Sequence, residues 1–265
     1  MSALAQSNAT PNATPGAPVS QPAPPSTAAS LPQFEVATIK PIDPNAVHSV
    51  GVEVSPGGTV ALNGLTLKGM ICTAFNLSYW QIEGGDPWME KTQYDVVGKP
   101  PESVETSKPN PRHTLFGIED ERLRQMLQAL LIDRVQLQFH RETKTGKVYL
   151  LERNGKTLQL RPTNAATAGP AGGIGFASLW DLSNTTMPQL ADFASTYYLH
   201  RPVFDRTGLS GAFNYRSPPE DYAAYESDPT GSFIEMIQAV GLKLVTAEGP
   251  VETFVIDRAA PPSPN

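Results

Sequence analysis

His140-Arg141-Glu142 sets an imidazole two positions from a carboxylate, at the end of an alternating apolar segment. An imidazole beside an acid can hold and pass a proton near neutral pH, so the residue types suit an acid–base pair. The same residues also suit a polar strand end, with His140 and Arg141 bonded to backbone or surface carboxylates. Asp205-Arg206-Thr207-Gly208-Leu209-Ser210-Gly211 is the densest polar motif. Asp205 can accept backbone N–H groups within a turn, and Gly208 and Gly211 can take the positive φ of a tight reversal. The other use for Asp205 and Arg206 is a loop that meets a ligand or partner. Ser210 lacks the G-x-S-x-G elbow that would present it as a nucleophile.

The four histidines, His48, His113, His140 and His200, show no close ligand spacing, so no metal site is expected. There is no H-E-x-x-H. No cofactor motif is present. The single cysteine, Cys72, lies between Ile71 and Ala74 and reads as a small helix residue near the core. Trp80, Trp88, Trp180, Tyr197, Tyr198, Tyr222 and Tyr225 could line a carbohydrate or peptide groove. Trp88 and the Tyr222/Tyr225 pair have the loop-like context of exposed rings. The candidate binding residues are therefore His140, Arg141, Asp205, Arg206 and Trp88; no catalytic set is assigned.

The 265-residue chain carries a net charge of −6, which argues against sequence-independent binding of nucleic acid. No apolar run approaches the roughly 20 residues that span a bilayer. The stretch from Met1 to Phe34 holds no Asp, Glu, Lys or Arg and is rich in Ala, Pro, Ser, Thr and Asn. Residues 1–33 are expected to be disordered, because such a composition buries too little apolar surface to offset chain entropy. Ser2-Ala3-Leu4-Ala5-Gln6 looks like the small-residue cleavage site of a secretory signal peptide. The expected address is export, to the periplasm or beyond the cell.

The elements that must position these residues follow from periodicity. Phe34 to Lys40 alternates and opens the fold as a strand, stopped by Pro41. Val50–Val54 and Thr59–Leu62 flank Pro56-Gly57-Gly58, a hairpin signal. Thr66 can cap a helix whose stripe is Leu67, Met70, Ile71, Ala74 and Phe75. Trp80–Gly85 and Tyr94–Gly98 are strand-like. A proline-rich loop, Pro100–Pro111, leads to a helix over Glu119–Ile132. Lys144-Thr145-Gly146 then predicts a hairpin turn into the Val148–Glu152 strand. Residues 163–177 form an Ala/Gly-rich linker. Thr186-Met187-Pro188-Gln189 is a capping box, with proline in the first turn. Phe233, Met236, Ile237 and Val240 mark the last helix, and Gly241 sits where a C′ glycine belongs. A closing hairpin is expected around Glu248-Gly249-Pro250.

Two phrases recur. Met126-Leu127-Gln128-Ala129-Leu130 is echoed by Met236-Ile237-Gln238-Ala239-Val240. Val148-Tyr149-Leu150-Leu151-Glu152-Arg153 is echoed by Thr253-Phe254-Val255-Ile256-Asp257-Arg258. An internal repeat fixes architecture. The expectation is an α+β fold of two related units, residues 34–162 and 178–260, each a small mixed or antiparallel sheet with two helices on one face.

Several segments resemble the soil-associated protein family expanded in acidobacteria. They are Phe34–Pro41, Gln81–Gly85, Met126–Leu131, Phe139–Thr143, Arg201–Val203, Asp205–Gly211 and Val255–Asp257. That family is a domain of unknown function, found as exported proteins and fused behind BlaR-type sensor metallopeptidase domains. The resemblance implies export and a sensing or binding role, and supplies no catalytic residues. The repeated unit is also similar to the short N-terminal domain of secretins and TonB-dependent receptors, which implies docking to a protein. The expected function is thus a non-enzymatic module for a protein, peptide or envelope component. The alternative is an exported hydrolase with its site near His140 or Asp205. The oligomeric state is left open.

Overall fold

The computed structural model describes residues 31–43, 49–101, 117–118, 120–163, 173–176, 179–219 and 222–262. Most of the expected N-terminal segment, the bulk of the Pro100–Pro111 loop, most of the linker, His48 and His113 lie outside these residues. The fold is α+β. Among the described residues, six α-helices accompany three four-stranded sheets.

The first lobe begins with β1 (Val36–Pro41), β2 (Gly51–Val54) and β3 (Val60–Thr66). Thr66 then caps α1 (Leu67–Phe75), its hydroxyl accepting from the Gly69 N–H at 3.2 Å. A 3-10 turn over Tyr79–Gln81 leads to β4 (Ile82–Gly84), α2 (Trp88–Lys91) and β5 (Gln93–Lys99). The expected strand from Trp80 is thus shorter, because Ser78 to Gln81 close a turn first; the Gln81 side chain accepts from the Ser78 N–H at 2.9 Å.

Helix α3 (Glu121–Arg134) starts at Asp120, whose carboxylate accepts from the Arg122 and Leu123 N–H groups at 2.9 and 3.1 Å. Asp120 was expected inside the first turn and instead caps it, since a carboxylate gains more by bonding free N–H groups than by facing the helix dipole alone. Val135 is the C-cap, and the next strand begins at Gln138.

The second lobe contains β7 (Arg161–Pro162), β8 (Gly173–Phe176), β9 (Trp180–Thr186), α4 (Met187–Ala194), a π-helical turn (Ser195–Leu199), β10 (Val203–Asp205), β11 (Ala212–Arg216), α5 (Tyr222–Ser227) and α6 (Pro229–Ala239). Thr186 and Gln189 form the capping box: the Thr186 hydroxyl accepts from the Gln189 N–H at 3.3 Å, and the Gln189 side chain accepts from the Thr186 N–H at 2.9 Å. The outer sheets are ordered β1-β5-β3-β2 and β7-β11-β9-β8. In each, the strand before the first helix pairs antiparallel with the strand after the lobe's short edge strand, with a register shift.

The third sheet joins the lobes. Here the structure overturns two of the three expected hairpins, while the one at Pro56-Gly57-Gly58 forms between β2 and β3. Lys144-Thr145-Gly146 and Glu248-Gly249-Pro250 do not turn. They lie inside two continuous strands, β6 (Gln138–Arg153) and β12 (Leu242–Arg258). These pair antiparallel along nearly their whole length, with Gly146 opposite Gly249 at the middle. Strand β4 adds parallel to β12 on one edge and β10 parallel to β6 on the other. A glycine pair at the crossing lets two turn-prone segments run straight, and the antiparallel ladder satisfies their backbone groups as hairpins would.

Each core therefore draws on both ends of the chain. The first collects α1, α3, β3 and β5 with Phe254 and Ile256 of β12. Phe254 stacks on Phe139 at 4.2 Å between centroids and meets Phe75 at 4.8 Å. The second collects α4, α6, β9 and Phe213 with Leu151 of β6 and Leu242 of β12. Trp180 is fully buried there, its indole N–H donating to the Ser232 hydroxyl at 3.0 Å.

The two helix-to-strand passages into the third sheet match in form. The Val135 N–H bonds the Leu131 carbonyl and the Val240 N–H bonds the Met236 carbonyl. Each cap is followed by a positive-φ residue, Gln136 at 50° and Gly241 at 93°. Aligned on these caps, Met236 matches Leu131 rather than Met126.

Candidate functional site

The residues chosen from the sequence fall in separate places. His140 lies on the third sheet, its Nδ1 at 2.9 and 3.1 Å from the two carboxylate oxygens of Asp257. Arg141 donates to Glu252 at 3.0 Å on the same sheet. All four side chains are about half exposed, so these cross-strand pairs contribute little to stability. Among the described residues, no serine, threonine or cysteine is hydrogen-bonded to His140.

Asp205 ends β10 and accepts from the Thr207 N–H at 2.9 Å and the Thr207 hydroxyl at 2.8 Å. Gly208 and Gly211 follow with φ of 67° and 87°. The exposed Arg206 uses its backbone N–H to bond the Leu151 carbonyl at 2.9 Å, continuing the β10–β6 ladder. Trp88 opens α2 and packs against the first core. Tyr225, expected in a loop, is helical: its hydroxyl is 3.2 Å from that of Tyr198, and its ring meets the edge of Trp180. Sequence alone hid this, because the buried partners that order the Tyr222–Ser227 segment come from distant elements. Tyr222 on the same helix is exposed.

The concave surface lies elsewhere, between the lobes. Helix α1 with the turn after it faces α4 with the π-helical turn after it, and between them is a cavity of about 430 Å³. That is within the usual range for small-ligand sites, which favour junctions between structural units. Its apolar lining includes Leu65, Cys72, Leu77 and the rings of Tyr79 and Tyr197. The lobes touch through a hydrogen bond of 2.9 Å between the Ser78 and Thr196 hydroxyls. Tyr79 is held by its hydroxyl, 2.7 Å from that of Thr66. An adjoining hollow of about 580 Å³ shares Ser78, Gln81 and Asp192 and reaches Thr143, Pro250 and Glu252 on the third sheet, with Asp205 at its edge. Trp80 lines that hollow, and its buried indole N–H has no acceptor among the described residues.

Burial pushes the Cys72 thiol up to about 12, so it is a neutral apolar wall and not a nucleophile at physiological pH. Asp192 is reached by solvent at the mouth, yet the surrounding walls remove enough water to raise its carboxyl above the ordinary range. The Tyr197 hydroxyl is raised too, first by burial and then by the Asp192 charge. Asp192 has no ion-pair or hydrogen-bond partner among the described residues, and it is the only ionised side chain among the described lining residues of the 430 Å³ cavity. Sequence reasoning passed over Asp192. Its one signal was an isolated acid on a short helix otherwise free of charge, which is ordinary for a solvated face.

Residues 68–259 match the family described as a protein of unknown function, DUF3738. The chain belongs to that family. The match covers the second lobe, all of the third sheet and the first lobe from α1 onward, leaving β1, β2 and β3 outside, and it includes most of the residues that line the cleft. No curated protein and no solved structure matches the chain. Within this DUF3738 domain no helix of the described residues is long and apolar enough to cross a membrane.

Proposed function

We propose that this protein is an exported, non-enzymatic binding or sensing module, and that its ligand, a peptide or envelope component, enters the cleft between α1 and α4. The observation that supports this reading is the cleft itself: a largely apolar cavity contributed by both lobes, rimmed by two half-exposed tyrosines and holding a carboxylate with no partner among the described residues. A site of that kind can bind and orient a molecule, and it presents no activated nucleophile, since the Cys72 thiol stays protonated.

Export is supported by the Ala3-Leu4-Ala5 site and the uncharged Pro/Ala/Ser stretch behind it. Modules of this type fused behind BlaR-type sensor domains would report the same ligand across a membrane. The repeat belongs to this proposal as well. The chain is two copies of one unit that have exchanged their closing strands, Val148–Arg153 and Thr253–Arg258, and the exchange sets α1 against α4.

The test is to map binding on isotope-labelled protein by NMR, using peptide fractions of an envelope digest. The expected result is a set of shifted amides at Thr66, Ser78, Asp192 and Thr196. Saturable binding that leaves those amides unmoved and shifts the His140 or Asp205 surfaces would refute the cleft.

A further inference from the structure

We infer that the cleft selects an organic cation, an ammonium or guanidinium group on an apolar stem, with Asp192 as its counter-ion. This deepens the proposed function and rests on it. The argument starts from charge. A carboxylate drawn partly out of water is costly unless a cation or hydrogen-bond donors replace the lost hydration. Asp192 is exposed at the mouth, beside walls that thin its hydration, and has neither among the described residues. The nearest lysine on the facing helix, Lys68, is engaged with Glu90 at 2.7 Å and stands 5.6 Å from the Tyr79 ring centroid.

An arriving cation would therefore find an acceptor already in place. The electron-rich ring of Tyr197 at the same mouth favours positive charge as well, while the Tyr79 ring already has the Lys68 ammonium over it. The rest of the wall accepts the stem: Leu65, Leu77 and the protonated Cys72 offer apolar surface, with the Ser78 and Thr196 hydroxyls where the lobes meet. An anionic ligand would meet Asp192 with no cation to offset it. A neutral apolar ligand would bury the carboxylate further without a partner.

Position supports the same assignment. Thr66 and Thr186 cap α1 and α4, and Cys72 and Asp192 lie equally far beyond those caps. The two helices thus present a thiol and a carboxylate from equivalent places. Among the described lining residues only α4 supplies a charged group, while Lys68 on α1 stands over the Tyr79 ring and repels a second cation, which gives the ligand an orientation: cation toward α4, stem toward α1.

Calorimetry and NMR on the full chain test this with matched probes. Phenethylamine is compared with 2-phenylethanol, and a lysine-containing peptide with its norleucine counterpart. The amine is expected to bind more tightly than the alcohol by roughly tenfold to a hundredfold, the range of a charge-assisted hydrogen bond in a partly dry site. Asp192→Asn should remove that preference by weakening the amine, with the alcohol binding at least as well as to the wild type and a thermal midpoint no lower. The amine's advantage over the alcohol should also fade as pH drops through the raised pKa of Asp192. If only the lysine peptide shows the preference, the cation comes from a polypeptide; if the free amine shows it too, a small amine suffices. Equal binding of amine and alcohol, both in the cleft, would overturn the cation assignment and leave the cleft as the binding site. Shifts outside the cleft for every probe would overturn both.

Discussion

Phe254→Ala separates an exchanged arrangement from two self-contained units. Phe254 is at the C-terminal end of the chain, yet it lies in the first core, 1% exposed, stacked on Phe139 at 4.2 Å and tilted against Phe75 at 4.8 Å. Truncating a buried phenylalanine costs about 3–5 kcal/mol, through lost transfer energy and the cavity left behind. The two aromatic contacts place it in the upper part of that range, about 4 kcal/mol. With a urea slope of about 2–3 kcal/mol per molar for a chain of this size, the midpoint should fall by roughly 1.5–2 M.

Location is the sharper readout. Trp88 packs on the first core and Trp180 is fully buried in the second. With 5-fluorotryptophan incorporated, the ¹⁹F resonance of Trp88 should move in the variant and that of Trp180 should stay. Leu151→Ala should do the reverse, because Leu151, on β6, is fully buried in the second core. If Phe254→Ala shifts Trp180 and spares Trp88, each half closes on itself and the reasoning fails.

Other consequences can be measured alongside. Asp205→Ala should destabilise by about 1–2 kcal/mol in chemical denaturation, since the buried Thr207 loses its acceptor; Asp205→Asn, which keeps an oxygen in place, should lose less, and equal losses would refute the turn-bonding role. Gly84→Ala should cost about 2 kcal/mol or more: Gly84 has φ of 76°, and a Cβ there would lie 2.9 Å from the Ile256 carbonyl oxygen, so a wild-type midpoint would refute the β4–β12 pairing. Asp192→Asn should be neutral or stabilising at pH 7. A carboxyl raised in the fold favours folding below its unfolded pKa, and that contribution is lost as pH rises through the folded value, so the variant should lack this part of the pH dependence of unfolding. Native protein at pH 8 should react with a thiol reagent only as fast as it opens, because the Cys72 thiol is held up to about 12; immediate labelling would contradict its burial.

Local signals in the sequence carried the local structure. Thr66 and Thr186 cap the helices they were expected to cap, the apolar stripes of α1, α3 and α6 face inward, and Gly208, Gly211 and Gly241 take positive φ. The α+β class follows from those stripes, which need a sheet face to cover them. The failures share one cause. Lys144-Thr145-Gly146 and Glu248-Gly249-Pro250 carry turn chemistry, and a hairpin at each would pair the strand before it with the strand after it. Run straight, the first half of β6 instead pairs with the second half of β12, and the second half of β6 with the first half of β12, across Gly146 and Gly249. Both outcomes bury similar side chains on similar neighbours, so turn propensity cannot decide between them. Chain connectivity and packing over long separations decide, and neither is written in a window of ten residues.

The same argument explains why the cleft was invisible. Its walls come from segments more than a hundred residues apart: the Ser78 and Thr196 hydroxyls meet at 2.9 Å across a separation of 118 residues. In sequence, Asp192 is one acid on the solvent side of a short helix, with nothing to mark it. Its character depends on what α4 is placed against, and that follows from the third sheet. Strand β10 fixes the exit from α4 to one edge of that sheet, and β4 fixes the exit from α1 to the other. Cys72 on α1 and Asp192 on α4, equally far beyond their threonine caps, then give the cleft a thiol on one side and a carboxylate on the other. A chemical asymmetry of one residue is enough to orient a ligand, and only the assembled fold brings the two positions face to face.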